Sequence, residues 1–192
     1  IVNSNNYRGT YQKRLVVSGV VADDYDTFGN DTIGIFKKNE KYGYYNTKKK
    51  SIVIPAKYEN AWRFSEGLAG VIMNGKLGFI NIKDETVIGF NYGYHESHLY
   101  EFVFRWGHCA VPNEKGLCGI IDKNGKWVIK PIYELANVAS ANYAIVNVKN
   151  GFKIQIDYNG NILNPHVIDE VERLTYTKNI KDVSNEEYIE YP

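Results

Sequence analysis

The stretch Gly43-Tyr44-Tyr45-Asn46, then Ile52-Val53-Ile54-Pro55-Ala56-Lys57-Tyr58, then Phe64-Ser65-Glu66-Gly67-Leu68-Ala69-Gly70-Val71 decides how this chain is read, because it recurs. A second copy begins at Gly78-Phe79-Ile80-Asn81, passes through Val87-Ile88-Gly89-Phe90-Asn91-Tyr92 and ends on Phe104-Arg105-Trp106-Gly107-His108-Cys109-Ala110-Val111. A third runs from Gly119-Ile120-Ile121-Asp122 through Trp127-Val128-Ile129-Lys130-Pro131-Ile132-Tyr133 and on to Val146. Tyr25, Tyr58, Tyr92 and Tyr133 keep pace at spacings of 33, 34 and 41 residues. A fixed period of this length marks a repeat architecture, in which each unit buries its apolar face only by leaning on its neighbours.

Working outward, both ends are worn copies. Val20-Val21-Ala22-Asp23-Asp24-Tyr25 matches the first copy, with Phe28 to Ile35 standing where Phe64 to Val71 stand, and Ile154-Gln155-Ile156-Asp157 matches the third. The array therefore spans 1–171, divided at 1–38, 39–73, 74–111, 112–146 and 147–171, with 172–192 a C-terminal cap or tail. Degenerate terminal units are expected, since they face water on one side.

Turn chemistry places the strands. Asn74-Gly75 and Asn150-Gly151 share one phase, Asn124-Gly125 and Asn159-Gly160 another. Asn-Gly between apolar alternations is a strong hairpin signal, because both residues accept positive φ. Each unit reads as a three-stranded meander, at 68–73, 76–82 and 86–88 in the second copy. The Pro-containing segments after Ile54 and Lys130 are expected to break the ladder, since Pro has no N–H to donate. Gly43, Gly78 and Gly119 fall within strands, where Gly is costly, so a close approach of a ring or a neighbouring backbone is expected over each. The expected fold is all-β: tandem three-stranded units of about 35 residues stacked as an open solenoid-like array, with propeller-like closure as the alternative.

These residues resemble the WG-repeat (KWG-repeat) family of bacterial β-rich proteins. The resemblance is carried best by Gly119 to Ile129 and by Phe64 to Val71, and covers about Tyr7 to Val171. The family's Trp is replaced by Tyr42, Leu77 and Cys118 before the three glycines, while Trp106-Gly107 has the right letters at the phase of Glu66-Gly67. The resemblance implies a β-rich array, often in secreted or envelope-associated proteins, and brings no catalytic residues with it.

Composition narrows the function classes. Lys+Arg is 23 against Asp+Glu 22, so no global field draws nucleic acid or an anionic surface. Lys37-Lys38 and Lys48-Lys49-Lys50 fall at expected turns. No apolar run reaches the roughly 18 residues of a spanning helix, and the stretch from Ile1 to Arg8 lacks a secretory apolar core. The start at Ile1 in place of Met is read as a processed or truncated N-terminus. The expected location, following the resemblance, is extracytoplasmic.

The irregularities of the repeat hold the candidate sites. The insertion near 93–103 carries Tyr94, His95, Glu96, His98, Tyr100 and Glu101, with His108 close behind. Insertions in repeat proteins map to loops, often on the binding face. His95 and His98 with Glu96 or Glu101 are a metal-ligand candidate, but their spacing matches no strong motif, so no metal or other cofactor is expected. Cys109 and Cys118 flank a hairpin; a two-residue turn at Asn113-Glu114 would bring them face to face, whereas a turn at Lys115-Gly116 pairs Cys109 with Asp122. No nucleophile elbow, phosphate loop or Cys-His pair is present in a recognised context, so no enzyme is expected. The once-per-unit tyrosines are read as core, while Tyr44, Tyr45, Trp62 and Trp127, which vary between copies, join Tyr94, His95 and His98 as candidate ligand contacts. The expected function is a non-catalytic module presenting an extended β surface to a protein or peptide. The alternative is a cell-wall or glycan-binding module, because Lys41-Tyr42-Gly43-Tyr44-Tyr45-Asn46-Thr47 resembles the aromatic hairpins of choline-binding and clostridial toxin repeats.

Overall fold

The computed structural model describes residues 15–26, 32–94, 101–148 and 153–163, all of them strand, turn or irregular. Strands β1 (Val16–Val17) and β2 (Val20–Val21) form a short hairpin. Four antiparallel sheets follow in chain order. The first holds β3 (Asp24–Asp26), β4 (Ile33–Lys38), β5 (Lys41–Asn46) and β6 (Ser51–Tyr58); the second β7 (Asn60–Ala61), β8 (Ala69–Met73), β9 (Lys76–Ile80) and β10 (Thr86–Tyr92). The third holds β11 (His108–Pro112), β12 (Cys118–Asp122) and β13 (Trp127–Tyr133); the fourth β14 (Leu135–Val138), β15 (Tyr143–Asn147) and β16 (Lys153–Asp157). Each sheet is a meander of hydrogen-bonded sequence neighbours; the first two open on a short leading strand, β14 holds the same place in the fourth, and none closes into a barrel.

The sheets stack face to face, and the strand pleat explains how. Successive side chains point to opposite faces, and here both faces are covered. Phe36 and Tyr45 pack with Tyr25, Val17 and Leu15 on one side of the first sheet, while Ile35 and Tyr44 pack with Ala61, Val71 and Ile80 on the other. The second sheet repeats the scheme: Ile72, Leu77 and Phe79 turn away from Val71 and Ile80 to meet Cys109, Val111 and Ile121. The third sheet sends Cys118, Ile120 and Ile129 onward against Ala144, Val146, Ile154 and Ile156. Apolar runs without polar alternation are the mark of strands buried on both faces.

The sheets divide after the recurrent tyrosine, at residues 59, 93–107 and 134, so each lies offset from the units drawn at 39–73, 74–111 and 112–146. The third strand is longer than expected, reaching Tyr92 rather than Ile88, and the second ends at Ile80 rather than Ile82. Pro55 and Pro131 interrupt the ladder as expected but do not end the strand, which pairs again at Tyr58 and Tyr133. They sit inside β6 and β13 where the register slips, between Ile54 and Tyr58 in the first sheet and between Ile129 and Tyr133 in the third. Within that bulge a missing N–H goes unused.

The bulge accounts for the strand glycines. It swings the third strand's backbone across the middle strand, so a Cβ on Gly43 would lie 2.6 Å from the Ile54 carbonyl oxygen and one on Gly119 2.5 Å from that of Ile129. At Gly78 the obstacle is the Phe90 ring, at 2.8 Å. The two Asn-Gly phases fold differently. Asn74-Gly75 has positive φ at both positions, a two-residue hairpin turn. At Asn124-Gly125 only Gly125 does, and Asp122 organises the turn by accepting the N–H groups of Asn124 and Lys126, both at 2.9 Å. Asn81, Asn113 and Asp157 do the same at their own turns. Asx side chains that bind backbone two residues on are a standard turn nucleus.

The recurrent tyrosine is a clasp between units. Tyr58 and Tyr92 bury their rings between sheets. Their hydroxyls donate to the last turn of the following sheet, Tyr58 to Asp84 at 2.6 Å and Tyr92 to the Gly125 carbonyl at 2.6 Å. Tyr133 is buried at the matching position. Tyr25 is not equivalent: it pairs with Phe36 on the leading strand, where Ala61 pairs with Val71 in the second sheet.

Burial raises the pKa of Tyr44, Tyr58 and Tyr92, and pushes Tyr45 and Tyr158 up to about 12, from the usual 10. The folded state thus holds protons that the unfolded chain releases above pH 10, so this stabilisation is complete below pH 10 and is lost as the pH climbs towards 12. An ultraviolet titration should show a tyrosinate step delayed beyond the ordinary one, with the denaturation midpoint falling over the same interval. Ionisation of every tyrosine near pH 10 in the folded protein would contradict the burial.

Candidate functional site

With both faces of the inner sheets covered, a ligand can reach only strand edges, turn tips and seams between sheets. The edges at β6 and β13 are poorly suited to accepting another strand. Both β6 and β13 carry a proline and a bulge, and Lys57 and Lys130 are exposed along them, devices that blunt strand addition.

The candidate contacts inferred from sequence separate under this geometry. Tyr44 and Tyr45 are fully buried, and Trp62 nearly so. Being adjacent in β5, the two tyrosines point to opposite faces, and each face is an inter-sheet core. The Tyr44 hydroxyl donates to the Trp62 carbonyl at 2.9 Å, and the Tyr44 ring packs on Phe64. Tyr45 meets Tyr25 and Phe36 edge to face. None of the three is open to a ligand, which also removes the aromatic-hairpin basis for the glycan reading at Lys41 to Thr47. Tyr94 is half-buried, edge to face with Trp62 and Phe102, and accepts a hydrogen bond from Asn60 Nδ2 at 2.9 Å. His95 and His98, with Glu96 and Tyr100, lie outside the described residues, as do Phe28, the Asn150-Gly151 turn and the segment 172–192. Glu101 is described, paired to Arg105 at 2.9 Å. Among the described residues, no three His, Cys, Asp or Glu side chains converge as a metal site.

Cys109 and Cys118 are buried free thiols. Neither expected register holds. Cys109 pairs with Ile121 and Cys118 with Pro112, so they occupy different rungs, and Cys109 points to the second sheet while Cys118 points to the fourth. The turn explains the slip: Asn113 organises Glu114 to Leu117 as an Asx loop closed by Gly116. Burial raises the Cys109 pKa, which leaves it a poor nucleophile.

Two open places stand out among the described residues. The first is a groove of about 480 Å³ on the seam between the second and third sheets, lined by Asn91, Tyr92, Asn113, Glu114, Trp127 and Pro131 among others. Trp127, half-buried, meets Tyr92 edge to face at 5.4 Å. The second is the tip of the hairpin that enters β11. There Trp106 is 52 % exposed and holds φ of 50°, followed by Gly107 at 77°. Glu66 and Gly67 form the same turn one sheet earlier, at 52° and 87°. The two turns lock together: the Glu66 carboxylate accepts the Gly107 N–H at 3.0 Å, Ser65 Oγ donates to the Phe104 carbonyl at 2.7 Å, and Lys123 Nζ donates to the Glu66 carbonyl at 2.7 Å. Trp106 escaped the sequence reading as a site, although its place at the phase of Glu66 was the available signal.

Residues 42–76 and 119–151 match the family model for the WG-containing repeat. Two of its units are WG repeats. These WG units include the glycine under the bulge, the third strand with its proline and tyrosine, and the start of the next sheet. No curated protein matches the chain. Among solved structures it is similar to the WD40 beta propeller domain of Doa1, at 11% identity over 76% of this chain and 56% of that one, with a TM-score of 0.42. It is similar to Kluyveromyces lactis Hsv2, at 13% over 74% and 50%, TM-score 0.48, and to BamB from Moraxella catarrhalis, at 12% over 82% and 50%, TM-score 0.41. The chain spans about half the length of each.

Proposed function

We propose that this chain is a non-catalytic interaction module of a bacterial envelope or secreted protein, and that it engages a protein partner through the turn-tip face on which Trp106 stands. One observation carries the reading: a bulky aromatic is held at positive φ, with half its surface in water, at a position that an ordinary hairpin fills with Asn or Gly. Such a conformation costs about 1–3 kcal/mol and persists only where the surroundings enforce it. Here Glu66, Ser65 and Lys123 do so. A pre-positioned indole loses little freedom on binding, and Trp is among the residues that dominate interface energies.

Trp106→Gly should therefore move stability and binding in opposite directions. Relief of the strained φ is expected to stabilise the fold by about 1 kcal/mol. Partner affinity should fall by about 30-fold or more, the effect of losing a hot spot of about 2 kcal/mol. Quantitative affinity capture from envelope fractions, comparing the wild type, W106G and a surface control such as K153A, tests this. A protein retained by the wild type and K153A but lost with W106G supports the reading; identical retention by all three contradicts it.

A further inference from the structure

Independently of the Trp106 face, the groove between the second and third sheets has the form of a built site. Its walls are pinned at both ends. The Gly93 N–H donates to the Pro112 carbonyl at 3.0 Å, and Gly93 lies so close to the Asn113 loop that a Cβ would fall 2.1 Å from the Asn113 carbonyl oxygen. At the other end the Tyr92 hydroxyl holds Gly125. The volume of about 480 Å³ lies within the range of small-ligand sites.

Its chemistry is selective. One aromatic platform, Trp127, is fixed by Tyr92, which is itself almost fully buried. Around it stand hydrogen-bonding groups. Asn91 is exposed at the mouth. Asn113 spends Oδ1 on the N–H groups of Lys115 and Leu117, while its Nδ2 makes a long bond of 3.4 Å to the Pro131 carbonyl. The Glu114 carboxylate pairs with Lys76 and keeps lone pairs to accept with. Glu114 and Lys115 balance in charge, so nothing selects a charged ligand. A proline-rich peptide wants a ridge of several aromatics, and an added strand is blocked by the bulged, proline-bearing edge of β13. A ligand with one flat C–H face and a rim of hydroxyls, each both donor and acceptor, matches one indole surrounded by amides and a carboxylate. We infer that this groove is a saccharide subsite for one or two rings of a neutral glycan.

The test is a titration of isotopically labelled protein with neutral cello-, malto- and chito-oligosaccharides, followed by NMR at the Trp127 indole N–H and the Asn91 and Asn113 side-chain amides. One series should shift these signals with a Kd of about 1 mM or tighter. Trp127→Ala should weaken that binding at least about tenfold, whereas W106G should leave it unchanged, which separates this inference from the protein-binding one. Because Trp127 also packs against the core, Asn91→Ala, at an exposed position, serves as the second variant and should weaken binding without altering the rest of the spectrum. No shift with any of the sugars would overturn the inference. So would a proline-rich peptide that moves the same signals where sugars do not.

Discussion

Gly119→Ala is expected to destabilise the protein by about 3 kcal/mol or more, in the upper range for an overpacked site. Elsewhere in a strand the same change would stabilise by about 0.5–1 kcal/mol, because alanine has less backbone entropy to lose. The sign reverses here because the added methyl would meet backbone: the Ile129 carbonyl oxygen at 2.5 Å and the Pro131 nitrogen at 2.7 Å. Neither can step aside without undoing the bulge. Gly43→Ala should behave alike, its neighbours being the Ile54 oxygen and the Ala56 nitrogen. Gly89→Ala is the control. Its nearest contact is the Asn91 side-chain nitrogen at 2.9 Å, the far end of an exposed side chain, so the change should be close to neutral. Thermal denaturation checks all three, with a fall of roughly 10 °C for Gly119→Ala, taking about 2–4 °C per kcal/mol for a chain of this size. Equal small effects at all three positions would mean that no backbone crosses over Gly119 and Gly43.

Tyr44→Ala is expected to cost about 3–5 kcal/mol, the range for emptying a buried aromatic site. The finer contrast lies in the hydroxyls of the adjacent pair. Tyr44→Phe removes a buried hydrogen bond and leaves the Trp62 carbonyl without that donor, a loss of about 1–2 kcal/mol. The Tyr45 hydroxyl is buried with no hydrogen-bond partner among the described residues. Tyr45→Phe should therefore be neutral or slightly stabilising, since it removes a desolvated polar group while the ring keeps its contacts with Tyr25 and Phe36. Urea denaturation of the three variants distinguishes these values. A larger loss for Tyr45→Phe than for Tyr44→Phe would contradict the assigned environments.

The repeat was legible in the chain because each unit assigns the same residues to the same physical tasks. Gly43 and Gly119 pass under the bulge and Gly78 under the Phe90 ring, while an Asx side chain nucleates the turn in all four sheets, at Asn46, Asn81, Asp122 and Asp157; the tyrosine reaching the next sheet's last turn is seen at Tyr58 and Tyr92. What the chain does not display is which faces meet water. In a sheet with one wet face, variable aromatics such as Tyr44 and Tyr45 would be sound candidates for ligand contact. Here stacking covers both faces, so variation between copies reflects different inter-sheet fillings rather than different ligands. Proline interrupts the ladder as its missing N–H dictates, but a bulge has residues to spare, so the strand resumes at Tyr58 and Tyr133. Trp127 was identified among the candidates and lines the groove. Its partners Asn91 and Asn113 were not, because they come together only when the end of one sheet meets a turn of the next. Trp106 was noticed for its letters and passed over for its phase, although that phase is what places it at an exposed tip.

The central claim is that neighbouring units share their cores, so that adjacent residues of one strand belong to different inter-sheet layers. The most direct measurement is a nuclear Overhauser spectrum of the aromatic protons of Tyr44 and Tyr45. Tyr44 should show contacts to Phe64, 4.8 Å away between ring centres, and to Val71, and none to Tyr25. Tyr45 should show contacts to Tyr25 and Phe36, at 6.2 and 6.4 Å between centres, and none to Phe64. Two rings reporting the same neighbours, or either ring reporting only solvent, would contradict the stacked arrangement.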